Sequence, residues 1–265
     1  MSRITLKFDS LKKRGKCALI PYFMAHYPRK NSLPELLKAS RDAGADLIEI
    51  GIPFSDPIAD GPVIQKAGQA ALDNGADLHK ILESLRLKSD GTVPLLAMTY
   101  LNVFLQYGFD RLLKNARKSG IDGLVIPDLI VEESGTYIEK ASQFNLDIIS
   151  FVSPTTPSER LVKIVPASRG FVYLVSITGV TGARPDKHFN LKKRIREIRK
   201  LSDIPVCIGF GIATPAQAAE VANIADGIIM GSALIQIMAS CKGNPASAVG
   251  RFLGKVRKAI DRNGV

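Results

Sequence analysis

Short apolar runs alternate along the chain with longer segments in which apolar residues recur at helical spacing. Each run is about five residues long, is rich in Val, Ile and Leu, and lacks polar alternation, which is typical of strands buried on both faces of a parallel sheet. The runs predict eight strands, at Cys17–Tyr22, Leu47–Gly51, Pro94–Thr99, Gly123–Pro127, Asp147–Phe151, Gly170–Val175, Pro205–Gly209 and Gly227–Met230.

The segments between these runs carry signals for the start and end of helices. A Ser or Thr followed three residues later by Glu or Gln is the pattern of a capping box. The pattern occurs at Ser32–Glu35, Thr156–Glu159 and Thr214–Gln217. Gly44 and Gly120 precede predicted strands, where a left-handed glycine can end a helix, and Gly227 echoes them.

Eight strand–helix units predict a (β/α)8 TIM barrel. An open doubly wound sheet is the alternative, but no Gly-x-Gly-x-x-Gly follows the first strand. Two helices are extra to the barrel pattern. Ser2–Arg14 is expected to cover the bottom of the barrel, and Asp77–Lys88 to add a second helix between strands two and three. No linker is visible, so residues 1–265 are expected to form a single TIM-barrel domain.

Composition excludes several classes of protein. With 46% hydrophobic and 23% charged residues the chain is neither disordered nor collagen-like. No apolar run approaches the roughly 18–20 residues of a membrane span, and no signal peptide is recognisable. Three well-separated cysteines suit a reducing cytoplasm. The absence of Cys/His clusters argues against a metal site.

The net charge of +11 fits an anionic small substrate, an acidic partner or a surface that is simply basic. The basic residues of 192–200 lie on one predicted helix outside the barrel. They lack the interleaved aromatic residues of a nucleic-acid platform. We therefore expect neither a nucleic-acid partner nor a membrane partner.

The active site of such a barrel lies at the carboxyl ends of its strands, and Glu49 ends the second one. Alternation places Leu47, Glu49 and Gly51 on one face. A glutamate that faced the outer helices would be costly, so Glu49 is expected to point into the mouth, with a raised pKa suited to general acid–base catalysis. A buried glutamate paired with a basic residue is the alternative reading.

A long loop rich in proline and glycine follows Glu49 and contains Asp60 at its far end. Asp60 is a second candidate carboxylate, or else the N-cap of the helix that begins at Pro62–Val63.

Glycine-bearing segments end the later strands, at Gly179–Gly182, Gly209–Gly211 and Gly231-Ser232. Backbone N–H groups and a helix N-terminus in these positions predict a phosphate site; glycines that only form turns are the alternative. His26 ends the first strand and is more simply explained as a surface loop residue than as a catalytic group.

The segment Ile48–Gly61, with sequence IEIGIPFSDPIADG, closely resembles the signature of the tryptophan synthase α subunit family. The match extends over nearly the whole chain, including Tyr100-Leu-Asn102 and Arg169–Tyr173. The resemblance implies retro-aldol cleavage of indole-3-glycerol phosphate to indole and glyceraldehyde 3-phosphate, with no cofactor or metal in this subunit.

The resemblance also implies the roles of individual residues. Glu49 matches the general acid/base, Asp60 the carboxylate that holds the indole N–H, and Tyr173 a tyrosine beside the reacting carbons. The substrate-binding positions implied are Tyr22, Met98, Tyr100, Val125, Thr181, Gly182, Phe210, Gly211, Ile229, Gly231 and Ser232.

Family members pair with a β subunit that carries pyridoxal phosphate and receives the indole, so the resemblance implies an α2β2 heterotetramer. The positions that match the partner interface are Pro53, Asp56, Pro57, Asn102 and Asp128. His26 replaces the usual glycine and Ile130 the usual proline.

Three other functions stay open at this stage. The chain could be a stand-alone indole-glycerol-phosphate lyase, a weakly active subunit that mainly activates its β partner, or another phosphate-handling barrel such as a sugar-phosphate epimerase. The intact Glu49 and Asp60 argue against the second, and the Asp56–Gly61 loop argues against the third.

Overall fold

A computed structural model describes residues 1–88, 91–175, 186–209 and 211–261. Eight parallel strands form a closed barrel in which each strand pairs with the next and β8 pairs with β1. The strands are β1 Ala18–Met24, β2 Ile48–Gly51, β3 Leu95–Met98, β4 Ile121–Val125, β5 Asp147–Val152, β6 Val172–Val175, β7 Val206–Gly209 and β8 Gly227–Met230. The predicted barrel is confirmed.

The helices lie between the strands and bury one face each against the barrel. They are α1 Arg3–Lys13, α2 Leu33–Asp42, α3 Pro62–Asp73, α4 Leu78–Lys88, α5 Leu101–Tyr107, α6 Phe109–Lys118, α7 Val131–Ser142, α8 Ser158–Ala167, α9 Asp186–Arg199, α10 Pro215–Ala222, α11 Ser232–Ser240 and α12 Pro245–Asp261. Helices α1 and α4 are the two extra helices that the sequence predicts.

Helix α1 closes the amino-terminal end of the barrel. Its Phe8 ring packs against Phe171, with ring centroids 5.7 Å apart. Arg3 binds the buried carboxylate of Asp122 at 2.9 Å, and Arg117 binds the same carboxylate at 3.0 Å. Helix α1 therefore covers this end of the barrel, and the carboxyl ends of the strands form the mouth at the other end.

Two of the three predicted capping boxes are wrong. Only Thr214 forms one, with Gln217. The Ser32 hydroxyl instead accepts a hydrogen bond from the Arg29 N–H, and Thr156 accepts one from the Ser153 N–H. In both cases the hydroxyl stabilises the preceding loop rather than the helix start, which is the usual competition for short polar side chains.

The glycine signals before the strands have two different physical causes. Gly44 and Gly120 have φ of 89° and 80° and end helices as predicted. Gly227 lies inside β8 and does not end a helix. A β-carbon there would lie 2.5 Å from the sulfur of Cys207, so the glycine is required by close packing inside the barrel.

Candidate active site

Strands β1 and β2 bring Tyr22 and Glu49 side by side at the mouth. The two residues are register partners, so their side chains point to the same side of the sheet. That side is the interior, since both groups interact electrostatically with Tyr173 on β6, across the barrel. The predicted inward orientation of Glu49 follows from this arrangement, and its side chain is fully buried.

The carboxyl group of Glu49 has no partner. Both of its oxygens are buried and make no hydrogen bond within the part of the chain that the structure describes. Burial, together with the smaller effect of the nearby Asp60, raises the pKa of Glu49 to about 8. The alternative of a glutamate paired with a basic residue is therefore not what the described structure shows, and the group is poised to exchange a proton near neutral pH.

Asp60 lies in the loop after β2 and lines a cavity with Tyr22, Met98 and Tyr100. Partial burial raises its pKa to about 6, while a hydrogen bond from Tyr100 acts in the opposite direction. The N-cap of α3 is Gly61, with no side-chain capping bond. Asp60 is therefore not an N-cap, and its carboxylate is directed to the site.

Tyr100 connects this loop to the end of β3. Its hydroxyl accepts a hydrogen bond of 2.9 Å from the Ala59 N–H, which directs the phenolic proton to Asp60. Its ring packs on Phe54 with centroids 5.4 Å apart. The loop that carries Asp60 is thus held at both its start and its end by one side chain.

Tyr173 faces the interior from β6, across the barrel from Glu49. A β-carbon on Gly209 would overlap its hydroxyl, so the glycine of β7 makes room for the phenol. Phe151, its register partner on β5, stacks on it with ring centroids 4.7 Å apart and an interplanar angle of 27°. Sequence reasoning missed Phe151 because one aromatic residue inside an apolar run gives the same signal as a core residue.

The remaining predicted wall residues lie where the sequence places them. Tyr22, Met98 and Tyr100 line a common cavity with Asp60. Val125 and Ile229 are buried near the carboxyl ends of β4 and β8. The structure therefore brings Tyr22, Met98 and Tyr100 together around Asp60.

The predicted phosphate cradle is described only in part. Gly211 has φ of 80°, a left-handed conformation that favours glycine. Gly231 is the N-cap of α11 and Ser232 its first residue, so N–H groups of that helix start are directed to the mouth. Thr181, Gly182 and Phe210 lie outside the described residues.

His26 is not the surface residue that the sequence predicts, since only 6% of it is exposed. Its φ of 61° lies in the left-handed region, which explains how a glycine can serve at this position. The carbonyl of His26 accepts a hydrogen bond of 2.9 Å from Asn74. Burial lowers its pKa, and Lys30 lowers it further.

The positions that match the partner interface lie around the mouth. Asp56, Asn102 and Asp128 are exposed and Pro57 is half-buried, whereas Pro53 is buried within the chain. The Leu101 N–H donates to the Asp128 carboxylate at 2.9 Å, which ties the β3 and β4 loops together.

A larger cavity of about 770 Å³ opens at the opposite end of the barrel, between α1 and the segments that lead into β6, β7 and β8. Its lining includes the Arg199–Asp226 ion pair, at 3.0 Å. No cluster of three or more His, Cys, Asp or Glu side chains in the described ranges could hold a metal ion. Among the same residues, no helix combines the length and apolarity of a membrane span.

The fold and the mouth define a class of protein. Asp60 lines a cavity with Tyr22, Met98 and Tyr100, and the buried Glu49 is the register partner of Tyr22. Both carboxyl groups have raised pKa values, and α11 begins directly after β8 at the same end of the barrel. The molecule has the fold and the carboxylate-bearing mouth of a TIM-barrel enzyme.

Comparisons with known proteins give the family. A family model described as tryptophan synthase alpha chain matches residues 8–262. The tryptophan synthase alpha chain of Carboxydothermus hydrogenoformans is 46% identical over 239 residues, 90% of either chain. That of Synechococcus sp. is 42% identical over 263 residues, 98% of either chain. A crystal structure of the alpha subunit from Legionella pneumophila superposes with a TM-score of 0.91, at 37% identity and 99% coverage of both chains.

The chain belongs to the tryptophan synthase alpha chain family. It is a lyase of tryptophan biosynthesis that cleaves indole-3-glycerol phosphate into indole and glyceraldehyde 3-phosphate. The family carries out this reaction without a cofactor of its own in this subunit.

Proposed function

We propose that Glu49 is the general acid and base of this cleavage. Its protonated carboxyl donates to C3 of the indole, the bond to the side chain breaks, and the resulting carboxylate takes the proton of the adjacent hydroxyl. The observation that carries the proposal is a fully buried carboxyl with two unpartnered oxygens and a pKa near 8. Such a group is protonated at pH 7 and becomes a base once it has donated.

Asp60 has the complementary role. With its pKa near 6 it is ionised at neutral pH, so it accepts the indole N–H and stabilises the positive charge that develops on the ring. The hydrogen bond from Tyr100 keeps its carboxylate in place. The two acidic groups therefore divide the work according to their surroundings.

Tyr173 and the glycine-rich loops hold the rest of the substrate. Tyr173 is fixed by its stack on Phe151 and by Gly209, and we place it beside the reacting carbons. Gly211, Gly231 and the start of α11 supply main-chain N–H groups for the phosphate, with Thr181, Gly182 and Phe210 completing the cradle.

The pH dependence of kcat/KM should be bell-shaped. The free enzyme needs Asp60 ionised and Glu49 protonated, so activity rises as the pH passes about 6 and falls as it passes about 8. Since the two groups interact, the apparent values belong to the pair. A kcat/KM profile measured from pH 5 to about 9.5 checks this. An acid limb alone, with activity undiminished to pH 9.5, would mean that protonated Glu49 is not required.

The chain works with a β subunit in this proposal. Three exposed apolar side chains surround the mouth, Ile58 at 84%, Leu105 at 48% and Ile130 at 47%. Ile58 and Ile130 lie in the loops that carry Asp56 and Asp128, and Leu105 lies on α5 with Asn102. These positions form an apolar docking surface with an acidic rim at the mouth. An α2β2 assembly in the cytoplasm, with pyridoxal phosphate in the β subunit, is the arrangement that this surface and the family support.

Ile58→Asp should disrupt that docking. A charge at the centre of an apolar interface costs desolvation, so we expect the affinity for the β subunit to fall at least about 100-fold, with indole-glycerol-phosphate cleavage by the isolated chain nearly unchanged. Val162→Asp is the matched control, because Val162 is 57% exposed on α8, away from the mouth loops. Calorimetric titration of each variant with β subunit measures the two affinities, and only that of Ile58→Asp should be reduced. Equal affinity for both variants would remove Ile58 from the interface.

Indole release by the purified chain, alone and with β subunit, tests the whole proposal. Release that rises on adding β subunit is the expected result. High turnover that does not respond to the partner would indicate a stand-alone lyase. No release in either condition would contradict the assigned roles of Glu49 and Asp60.

A further inference from the structure

Tyr22 is counted among the apolar wall residues, yet its hydroxyl lies at the end of the site where the two carboxyl groups are. The ring begins beside the phosphate cradle, where a β-carbon on Gly231 would lie 3.2 Å from Cδ1 of Tyr22. It ends at Gly51, two residues after Glu49, in a space that exists only because residue 51 has no side chain. The phenol therefore spans the site from the cradle to the carboxylates.

Four titratable groups from different elements lie close enough to the Tyr22 phenol to interact with it electrostatically. Glu49 comes from β2, Asp60 from the loop after it, Tyr100 from the end of β3 and Tyr173 from β6. Burial, followed by the charges of Asp60 and Glu49, raises the pKa of Tyr22 well above its ordinary value. The phenol is therefore neutral throughout the working pH range and acts as a hydrogen-bond donor.

The Tyr22 hydroxyl also lacks a hydrogen-bond partner among the described residues, whereas the phenol of Tyr100 is held between Ala59 and Asp60. Tyr22 lines the cavity that also contains Asp60, so its hydroxyl is available to a ligand or to a charge that appears later. During the cleavage a charge does appear, when Glu49 gives up its proton.

We propose that Tyr22 is a third polar residue of the reaction centre, whose hydroxyl donates a hydrogen bond to the carboxylate that carries the negative charge as the proton moves. The inference depends on the proposed roles of Glu49 and Asp60. In the resting enzyme only Asp60 is charged, and after proton donation Glu49 is charged as well. The hydroxyl interacts electrostatically with both Asp60 and Glu49, so a small rotation of the phenol lets it donate to either carboxylate.

Tyr22→Phe removes only this oxygen and keeps the ring that packs on Gly231. We expect kcat to fall about tenfold, the loss typical of one hydrogen bond to a charged group, while KM changes less than about twofold. Loss of the donor raises the pKa of the ionised carboxylate, so the acid limb of the kcat/KM profile should move to higher pH. Affinity for glycerol 3-phosphate, measured by calorimetry, should be unchanged.

Tyr137→Phe is the matched control, since Tyr137 is a half-buried tyrosine on α7 that packs edge-on against Phe109. Its kcat and pH profile should equal those of the original chain. Glu49→Gln is measured alongside. If Glu49→Gln is inactive while Tyr22→Phe keeps the original kcat and acid limb, the inference about Tyr22 is overturned and the roles of the carboxylates stand. If Glu49→Gln is active, those roles fail first. A Tyr22→Phe enzyme with raised KM alone would make Tyr22 a wall residue only.

Discussion

Glu49→Gln should abolish cleavage, lowering kcat by at least about 1000-fold. The amide keeps the shape of the carboxyl group but neither donates a proton to carbon nor accepts one from the substrate hydroxyl. Because the pKa near 8 makes Glu49 mostly neutral at pH 7, the exchange replaces one neutral buried group by another. The fold and the free energy of unfolding should therefore change little.

Two measurements distinguish a catalytic role of Glu49 from a structural one. Calorimetric binding of glycerol 3-phosphate should be nearly the same in Glu49→Gln and in the original chain, because the phosphate cradle lies on other strands. Glu35→Gln, an exposed exchange in the first turn of α2, is the control and should keep full activity. If Glu49→Gln loses activity and phosphate binding to the same degree, Glu49 is a structural residue.

Asp60→Asn should lower kcat by about 100- to 1000-fold, the loss seen when one preorganised electrostatic contact is removed from a transition state. The asparagine oxygen can still accept the hydrogen bond of Tyr100, so the loop should keep its position. What disappears is the negative charge that faces the developing positive charge on the indole ring. The ground state carries no such charge, so KM should rise much less than kcat falls.

Asp73→Asn, at the exposed end of α3, provides the same change of charge outside the mouth. Single-turnover measurement of indole formation compares the two variants, and only Asp60→Asn should be slow. A fully active Asp60→Asn enzyme would remove this carboxylate from the mechanism and leave Glu49 without its electrostatic partner.

The barrel was predictable because its strands bury both faces. Continuous apolar runs such as Pro205–Gly209 have a length and a composition that few other elements share. Their limits were less certain, and β4 begins at Ile121 rather than Gly123. The extension includes Asp122, whose carboxylate is held by Arg3 and Arg117. These contacts form only in the folded chain, so the sequence pattern could not show them.

Site residues could be predicted where a residue type is rare in its sequence context, and could not be predicted where the same residue type is common in a hydrophobic core. A glutamate between isoleucines has few explanations, so Glu49 could be assigned from its neighbours. Phe151 could not, because its role is a stack on Tyr173 across two strands. The burial of His26 was missed because it depends on α3, whose Asn74 binds the loop from 48 residues further along the chain.

Gly51 and Tyr22 constrain how this chain can diverge. The phenol occupies the volume that any side chain at position 51 would need. Gly51 cannot gain a side chain while the Tyr22 ring is in place, whereas position 22 can lose atoms on its own. Sequences in which position 51 has gained a methyl group should therefore be those in which the ring at position 22 has already been lost.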